Sequence, residues 1–325
     1  MRVVILAGDI GGTKTLIGLF EPHAERPRAI ATESFQTTAF AGLPEIIDAF
    51  FARQASMPRI TAAAFGVAGP VLGQTANMTN VEWHVDAAQL VTRFAFPRAQ
   101  LLNDLEAMAY AVPVLEGDEL TPLQRGVRRR DGNMGVVAAG TGLGGSLLHR
   151  IGERHVPVAS EVGHSDFAAR SDRELDFVRF IRQRHGRCEI EHVVCGPGLV
   201  NLAEFTHQHA ACAAVSHADA AAEVSKAALD GTCRCCVEAL EMFVDAYGAV
   251  AGNLALIGVT TGGMFIGGGI APRILPALTT GRLIAAFRDK PPMTDLLDAM
   301  PVNVILNPDA GLIGAAVYAN RLTRT

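Results

Sequence analysis

Val3-Val4-Ile5-Leu6-Ala7-Gly8-Asp9-Ile10-Gly11-Gly12-Thr13-Lys14 is an apolar strand that runs directly into a glycine turn with an aspartate at its edge. Glycine lets the backbone turn tightly and brings bare N–H groups up to whatever lies beyond, which is how a chain cradles phosphate. Asp9 adds a carboxylate able to hold, through water, a magnesium ion carried by a polyphosphate, because magnesium keeps most of its waters and takes few protein ligands. Taken alone, the stretch fits a plain hairpin equally well, with Thr13, Leu16, Ile17 and Leu19 in the return strand. The rest of the chain has to decide.

At 325 residues the chain is long enough for two lobes with separate cores. Hydrophobic residues make up 49% and charged residues 19%, with a net charge of −5 and no long run of one sign, which argues against a nucleic-acid partner. The N-terminal apolar run is too short for a signal-peptide core, and no segment approaches the roughly 18 apolar residues of a membrane helix, so a cytoplasmic protein is expected. Six cysteines, three of them at Cys233, Cys235 and Cys236, do not form a disulfide framework.

Helical spacing of Leu43, Ile46, Ile47, Phe50 and Phe51 predicts an amphipathic helix, and Arg59 to Val67 predicts a strand closed by Gly66 and Gly69. Asn80 and Trp83 fall in a polar loop that would suit a sugar, although Trp83 equally suits a half-buried core position. Gln100-Leu101-Leu102 passes straight into the helix of Asn103 to Val112, with Asp104 at the expected N-cap. A general base needs a fixed position first, and a strand end beside a helix N-terminus supplies one, so Asp104 serves either role. Asn133 to Ala139 is a second apolar strand, entering Gly140-Thr141-Gly142-Leu143-Gly144-Gly145. Its G-x-G-x-x-G pattern raises a dinucleotide fold, with Glu161 about twenty residues on, but Ser146 to His149 reads as a returning strand rather than a helix. Glu161 and His164 lie on a loop marked by Pro157 and Gly163 and suit hydroxyl binding or plain solvation; Glu191 stands just before Gly196-Pro197-Gly198 and a helix of Val200 to His207. Zinc at the cysteine cluster would need a fourth ligand and none is evident, so buried thiols are expected there. Gly267-Gly268-Gly269 follows a strand and precedes the expected start of a helix, a side-chain-free surface for adenine with a helix N-terminus nearby for phosphate.

Two glycine hairpins about 130 residues apart, with a later triple glycine, resemble the sugar kinase, Hsp70 and actin ATPase superfamily. Within it the chain is similar nearly end to end to bacterial glucokinases lacking the zinc motif. The motifs that carry this are Gly8-Asp9-Ile10-Gly11-Gly12-Thr13, Met78-Thr79-Asn80 with Trp83, Asn103-Asp104, Gly140-Thr141-Gly142, Glu161-Val162-Gly163-His164, Gly196-Pro197-Gly198 and Gly267-Gly268-Gly269. The resemblance implies an α/β, two-lobed ribonuclease H-like (actin/hexokinase-like) fold with a nucleotide and sugar cleft between the lobes. A small domain at residues 1–112, completed by the C-terminal helix at 309–325, would accompany a large domain at 113–308. It further implies an ATP- and Mg²⁺-dependent glucose kinase and a homodimer. Asp104 would take the 6-hydroxyl proton; Asn80, Asn103, Glu161, His164 and Glu191 would hold glucose; Asp9 would hold magnesium through water. Gly8 to Thr13, Gly140 to Gly142 and Gly267 to Gly269 would hold the nucleotide.

Lys14, Val162 and Cys195 depart from the usual Asn, Gly and Ser of this family. The rival expectations are a sugar-sensing regulator, disfavoured by the absence of room for a helix-turn-helix before Gly8; a kinase for another hexose; and a dinucleotide-dependent oxidoreductase.

Overall fold

The computed structural model describes residues 3–56, 58–78, 81–208 and 211–324. The chain forms two compact units, Met1–Glu116 with Asn307–Thr325, and Gly117–Leu306. Residues 113–116 and Asn307-Pro308 therefore group with the first unit, where the sequence places the boundaries at 112 and 309.

In the first unit β1 (Val3–Ile10), β2 (Lys14–Glu21) and β3 (Arg28–Gln36) form an antiparallel meander. Helix α1 (Leu43–Ala52) crosses to β4 (Arg59–Val67), parallel to β1. A small antiparallel sheet of β5 (Val71–Leu72), β6 (Thr75–Asn77) and β7 (His84–Asp86) and then α2 (Ala87–Phe94) lead to β8 (Ala99–Asn103), parallel to β4. Helix α3 (Asp104–Ala111) leaves β8 with no intervening loop. The main sheet runs β3-β2-β1-β4-β8. Alternation along β1 decides its faces: Val4 and Leu6 join Leu43, Ile46, Ile47 and Phe50 of α1 in one buried cluster, each large side chain contributing about 1.5–3 kcal/mol by burial. Trp83 belongs to that cluster and is only 8% exposed, so it is core and presents no stacking platform to a sugar. Asn80 lies outside the described residues.

The second unit repeats the plan. β9 (Leu120–Gln124) is an edge strand; β10 (Met134–Ala139), β11 (Leu143–Ile151) and β12 (Arg154–Val158) form an antiparallel meander. Helices α4 (Asp172–His185), α5 (Gly196–His207), α6 (Ala220–Leu229) and α7 (Arg234–Gly258) precede β13 (Gly263–Gly267), and α8 (Leu275–Leu278), α9 (Arg282–Arg288) and α10 (Thr294–Ala299) precede β14 (Val302–Ile305). The order is β12-β11-β10-β13-β14-β9, with β10, β13 and β14 parallel. A returning strand, β11, follows the 140–142 turn, which removes the dinucleotide reading. Gln124, at the end of β9, is buried and donates from Nε2 to the carbonyls of Leu297 (2.7 Å) and Met300 (2.5 Å). Contrary to expectation, one helix, α7, is long and apolar enough by composition to cross a bilayer. Its most apolar window is 67% buried inside the protein, and it packs against α5, α6 and α9 as a core helix.

The chain ends in the first unit with α11 (Ala310–Leu322), packed on α3, β1 and β4. Gly314 permits the approach, since a Cβ there would overlap the carbonyl oxygen of Ala107 in α3. Gly314→Ala is expected to force the two helices apart and cost about 1–3 kcal/mol, the usual penalty of overpacking. Thermal unfolding checks this, and an unchanged Tm would show that α11 does not dock on α3 in this way.

Candidate active site

Carboxyl ends of parallel strands are where α/β sheets present ligand-binding groups. In the first unit Asp9 of β1 pairs with Gly66 of β4, and Val67 of β4 with Asn103 of β8. The turn proper is residues 11–13, with Gly8 and Asp9 still in the strand; Gly11 N–H donates to Lys14 O (3.0 Å), and Thr37 Oγ1 donates to Gly11 O (2.7 Å). The expected N-cap at Asp104 belongs instead to Asn103, whose backbone is still extended. Asn103 Oδ1 accepts from Leu105 N–H (2.9 Å), and its Nδ2 donates to Gly69 O (3.1 Å). Asp104 is the first helical residue, with an exposed side chain whose Oδ1 accepts from Leu105 N–H (2.8 Å).

Three carboxylates crowd this strand end. Burial, then the charges of Asp104 and Asp309, push Asp9 up to about 7, with Lys14 opposing them. The first turn of α11 closes over Asp9, since a Cβ on Gly311 would stand 2.6 Å from its Oδ2. Such a set of hard oxygen donors, repelling one another without a cation, suits magnesium. Asp309 escaped the sequence reading because it looked like an ordinary helix start. Lys14, a departure from the family pattern, places its charge where it reaches Asp9.

In the second unit one buried hydroxyl organises the strand ends. Tyr247 Oη, on α7, accepts from Ala139 N–H (3.1 Å) and donates to Gly267 O (2.9 Å), with Val137 O at 3.1 Å. The 140–142 turn is closed by Gly140 N–H to Gly142 O (2.8 Å) and docked by Gly196 N–H to Gly140 O (2.8 Å). Gly268, at φ +84°, lies so close to Ala139 that any side chain would collide with its backbone. After Gly269 the chain makes turns rather than the expected helix. The helix N-terminus beside the hairpin is that of α5, which begins at Gly196, not Val200. A cavity of about 680 Å³ opens here, lined by Gly140, Thr141, Pro197, Lys226, Gly269 and Ile270 among others, large enough for a nucleoside. The contribution of α6, Lys226 included, had no motif to announce it.

The polar loop residues are drawn together by a short antiparallel contact. Ile190 N–H donates to Ser165 O (2.9 Å) and Phe167 N–H to Cys188 O (3.0 Å). Glu191 Oε2 accepts from Leu143 N–H (2.8 Å), and Gly163, between Glu161 and His164, lies against the same carboxylate. Glu161 and His164 are exposed; His164 Nδ1 stands 3.3 Å from Glu189 Oε2, a partner not foreseen. Arg187 donates to the His164 carbonyl and pairs with Asp166 (3.3 Å) and Glu189 (3.7 Å). Val162 points onto β11, its Cγ1 filling the space over Gly145, so this departure leaves the polar side of the loop unchanged. Cys195 caps α5 as a serine would, accepting from Gly198 N–H (3.3 Å) with a thiol pushed up to about 12 by burial.

The chain matches the Glucokinase family model over residues 6–322. It is 36% identical to a glucokinase of Trichormus variabilis over 98% of its own length and 99% of the relative's. Among solved structures, a glucokinase from an Antarctic psychrotroph superposes with a TM-score of 0.87 at 28% identity, covering 98% of this chain and 99% of that one. A ROK family glucokinase from Streptomyces griseus, solved with glucose and AMPPNP, shares the fold at a TM-score of 0.65 and 21% identity, over 98% and 99% of the two chains.

Two outcomes follow from the geometry. Because Asp9 is raised from 3.8 to about 7 on folding, the stability it contributes is fully present below about pH 4 and is lost as pH rises through 7. Denaturant unfolding at pH 5 and pH 8 should show Asp9→Asn gaining on wild type as pH rises; a constant difference would contradict the crowding. Tyr247→Phe keeps the ring but strands Ala139 N–H and Gly267 O, with an expected loss of about 1–3 kcal/mol in the same assay; a neutral variant would remove the hydroxyl from this role.

Proposed function

The chain belongs to the glucokinase family, whose reaction is the ATP-dependent phosphorylation of glucose, and we propose that it performs that reaction at the 6-hydroxyl with Asp104 as general base. What carries the assignment of roles is the convergence of Asp9, Asp104 and Asp309 beside the 11–13 turn. Asp104 accepts the hydroxyl proton as the bond from O6 to the γ-phosphorus forms; the bond from that phosphorus to the bridging oxygen of ATP breaks, and ADP leaves. Phosphoryl transfer has a loose transition state, so positioning and charge neutralisation carry most of the rate, and one carboxylate base suffices. Position is what Asp104 has: first in α3, held by Leu105 N–H. Magnesium, when bound to the polyphosphate, supplies neutralisation of its charge; Asp9, with Asp309 beside it, would hold it through water.

Adenine fits the cavity of the second unit. Its floor at Gly269 is free of side chains, the 140–142 turn offers backbone N–H groups, and the positive end of the α5 dipole lies beside it, which favours phosphate. Glucose hydroxyls are assigned to Asn103 of the first unit and to Glu161, His164 and Glu191 of the second; Asn80 keeps the role implied by the family resemblance. A cytoplasmic homodimer is the family-based expectation that goes with this assignment.

Asp104→Asn keeps shape and removes the base. It is expected to bind glucose with near wild-type affinity by calorimetry and to lose roughly 10²- to 10⁴-fold in kcat. Wild-type turnover in this variant would leave Asp104 a structural residue and overturn the mechanism.

A further inference from the structure

A second cluster of chemistry-bearing side chains lies away from the strand ends. Around the start of α7 the sequence shows only Cys233, Cys235 and Cys236, but the fold adds His207 from the last turn of α5 and Cys212 from the segment after it. The ligand atoms of His207, Cys212, Cys233 and Cys236 all lie within 4.8 Å of one another. In a tetrahedral zinc site, with Zn–S about 2.3 Å, neighbouring sulfurs stand about 3.8 Å apart, so the four donors already occupy the right volume. The expectation of buried thiols without a fourth ligand is corrected on this point: the missing donors stand twenty or more residues upstream, at His-x4-Cys spacing, and Cys235 is not among them.

The surroundings are oriented as metal sites require. His207 Nδ1 donates to Ala203 O (2.6 Å), which leaves the Nε2 lone pair facing the cluster, 3.3 Å from Cys233 Sγ. Cys233 is the N-cap of α7, which puts its sulfur at the positive end of that helix, where a thiolate is favoured. Thr206 Oγ1 donates to Cys235 O (2.9 Å), pinning the last turn of α5 to the first turn of α7. All six cysteines are free thiols, so no disulfide competes for these sulfurs.

We propose that His207, Cys212, Cys233 and Cys236 form a closed Cys3His site for a structural zinc ion. Four protein ligands leave no open position, which fits a structural rather than a catalytic metal, and a tetrahedral set of three thiolates and an imidazole favours zinc. Cys212 and Cys233 bracket the segment holding α6 and Ala218 to Asp230, one wall of the cavity described above. Zinc thus clips both ends of that wall to α5 and α7.

The test is the metal content of untagged protein, purified from zinc-supplemented cells with a reductant and no chelator. About one zinc per chain is expected, falling to near zero in Cys233→Ser and Cys236→Ser and staying at wild-type level in Cys235→Ser and Cys195→Ser. Cobalt(II) added to metal-free wild type should give thiolate charge-transfer and tetrahedral d–d absorption bands. Zinc well below one equivalent with no cobalt bands would overturn the proposal, as would retention of zinc by the double variant Cys233→Ser/Cys236→Ser. Neither readout depends on what the cavity binds.

Discussion

The hydroxyl of Tyr247 is the constraint on which the second unit's site depends. A helix has to deliver one polar atom into a dry core, at the point where two parallel strands, β10 and β13, give out into glycine turns. There the ladder no longer satisfies the backbone, and a buried orphan N–H or C=O is costly. One phenolic oxygen serves Ala139 N–H and Gly267 O at once, so the turns at 140–142 and 267–269 are fixed relative to each other. Glycine-rich turns have few side chains of their own to hold them; fixed this way, they line the cavity in one arrangement.

The first unit meets the same need with charge. Its glycine turn stands beside three carboxylates and the first turn of α11, which arrives from the far end of the sequence and closes over Asp9 through Gly311. Repulsion among ionised carboxylates destabilises this strand end, and a bound cation would relieve it. The duplicated sheet therefore presents two different surfaces from one topology: a carboxylate-rich one suited to metal and base, and a glycine-floored one with Lys226 and Arg273 in its wall, suited to adenine and phosphate.

Much of this was legible in residue order. Continuous apolar runs ending in glycine located both hairpins, and the direct passage from Leu102 into a helix located Asp104. Less legible was whatever depends on segments distant in sequence. Tyr247 carries no motif, and its hydroxyl matters only because α7 packs across the ends of β10 and β13. Asp309 looked like a helix start, Glu189 had no motif, and His207 with Cys212 became partners of Cys233 only because α5 ends where α7 begins. Single-residue offsets, such as the cap at Asn103 rather than Asp104, turn on backbone angles that composition does not encode. Trp83 marks the opposite case: a loop position that suggested sugar stacking is filled by core.

Coupling of ATP cleavage to glucose is read out by parallel quantification of ADP and glucose 6-phosphate formed by the purified wild-type protein, with mannose, fructose and N-acetylglucosamine as alternative acceptors. Equal amounts of the two products, with glucose preferred over the other sugars, are predicted. ADP formed without sugar phosphate, or no turnover on any sugar while glucose still binds, would contradict the account.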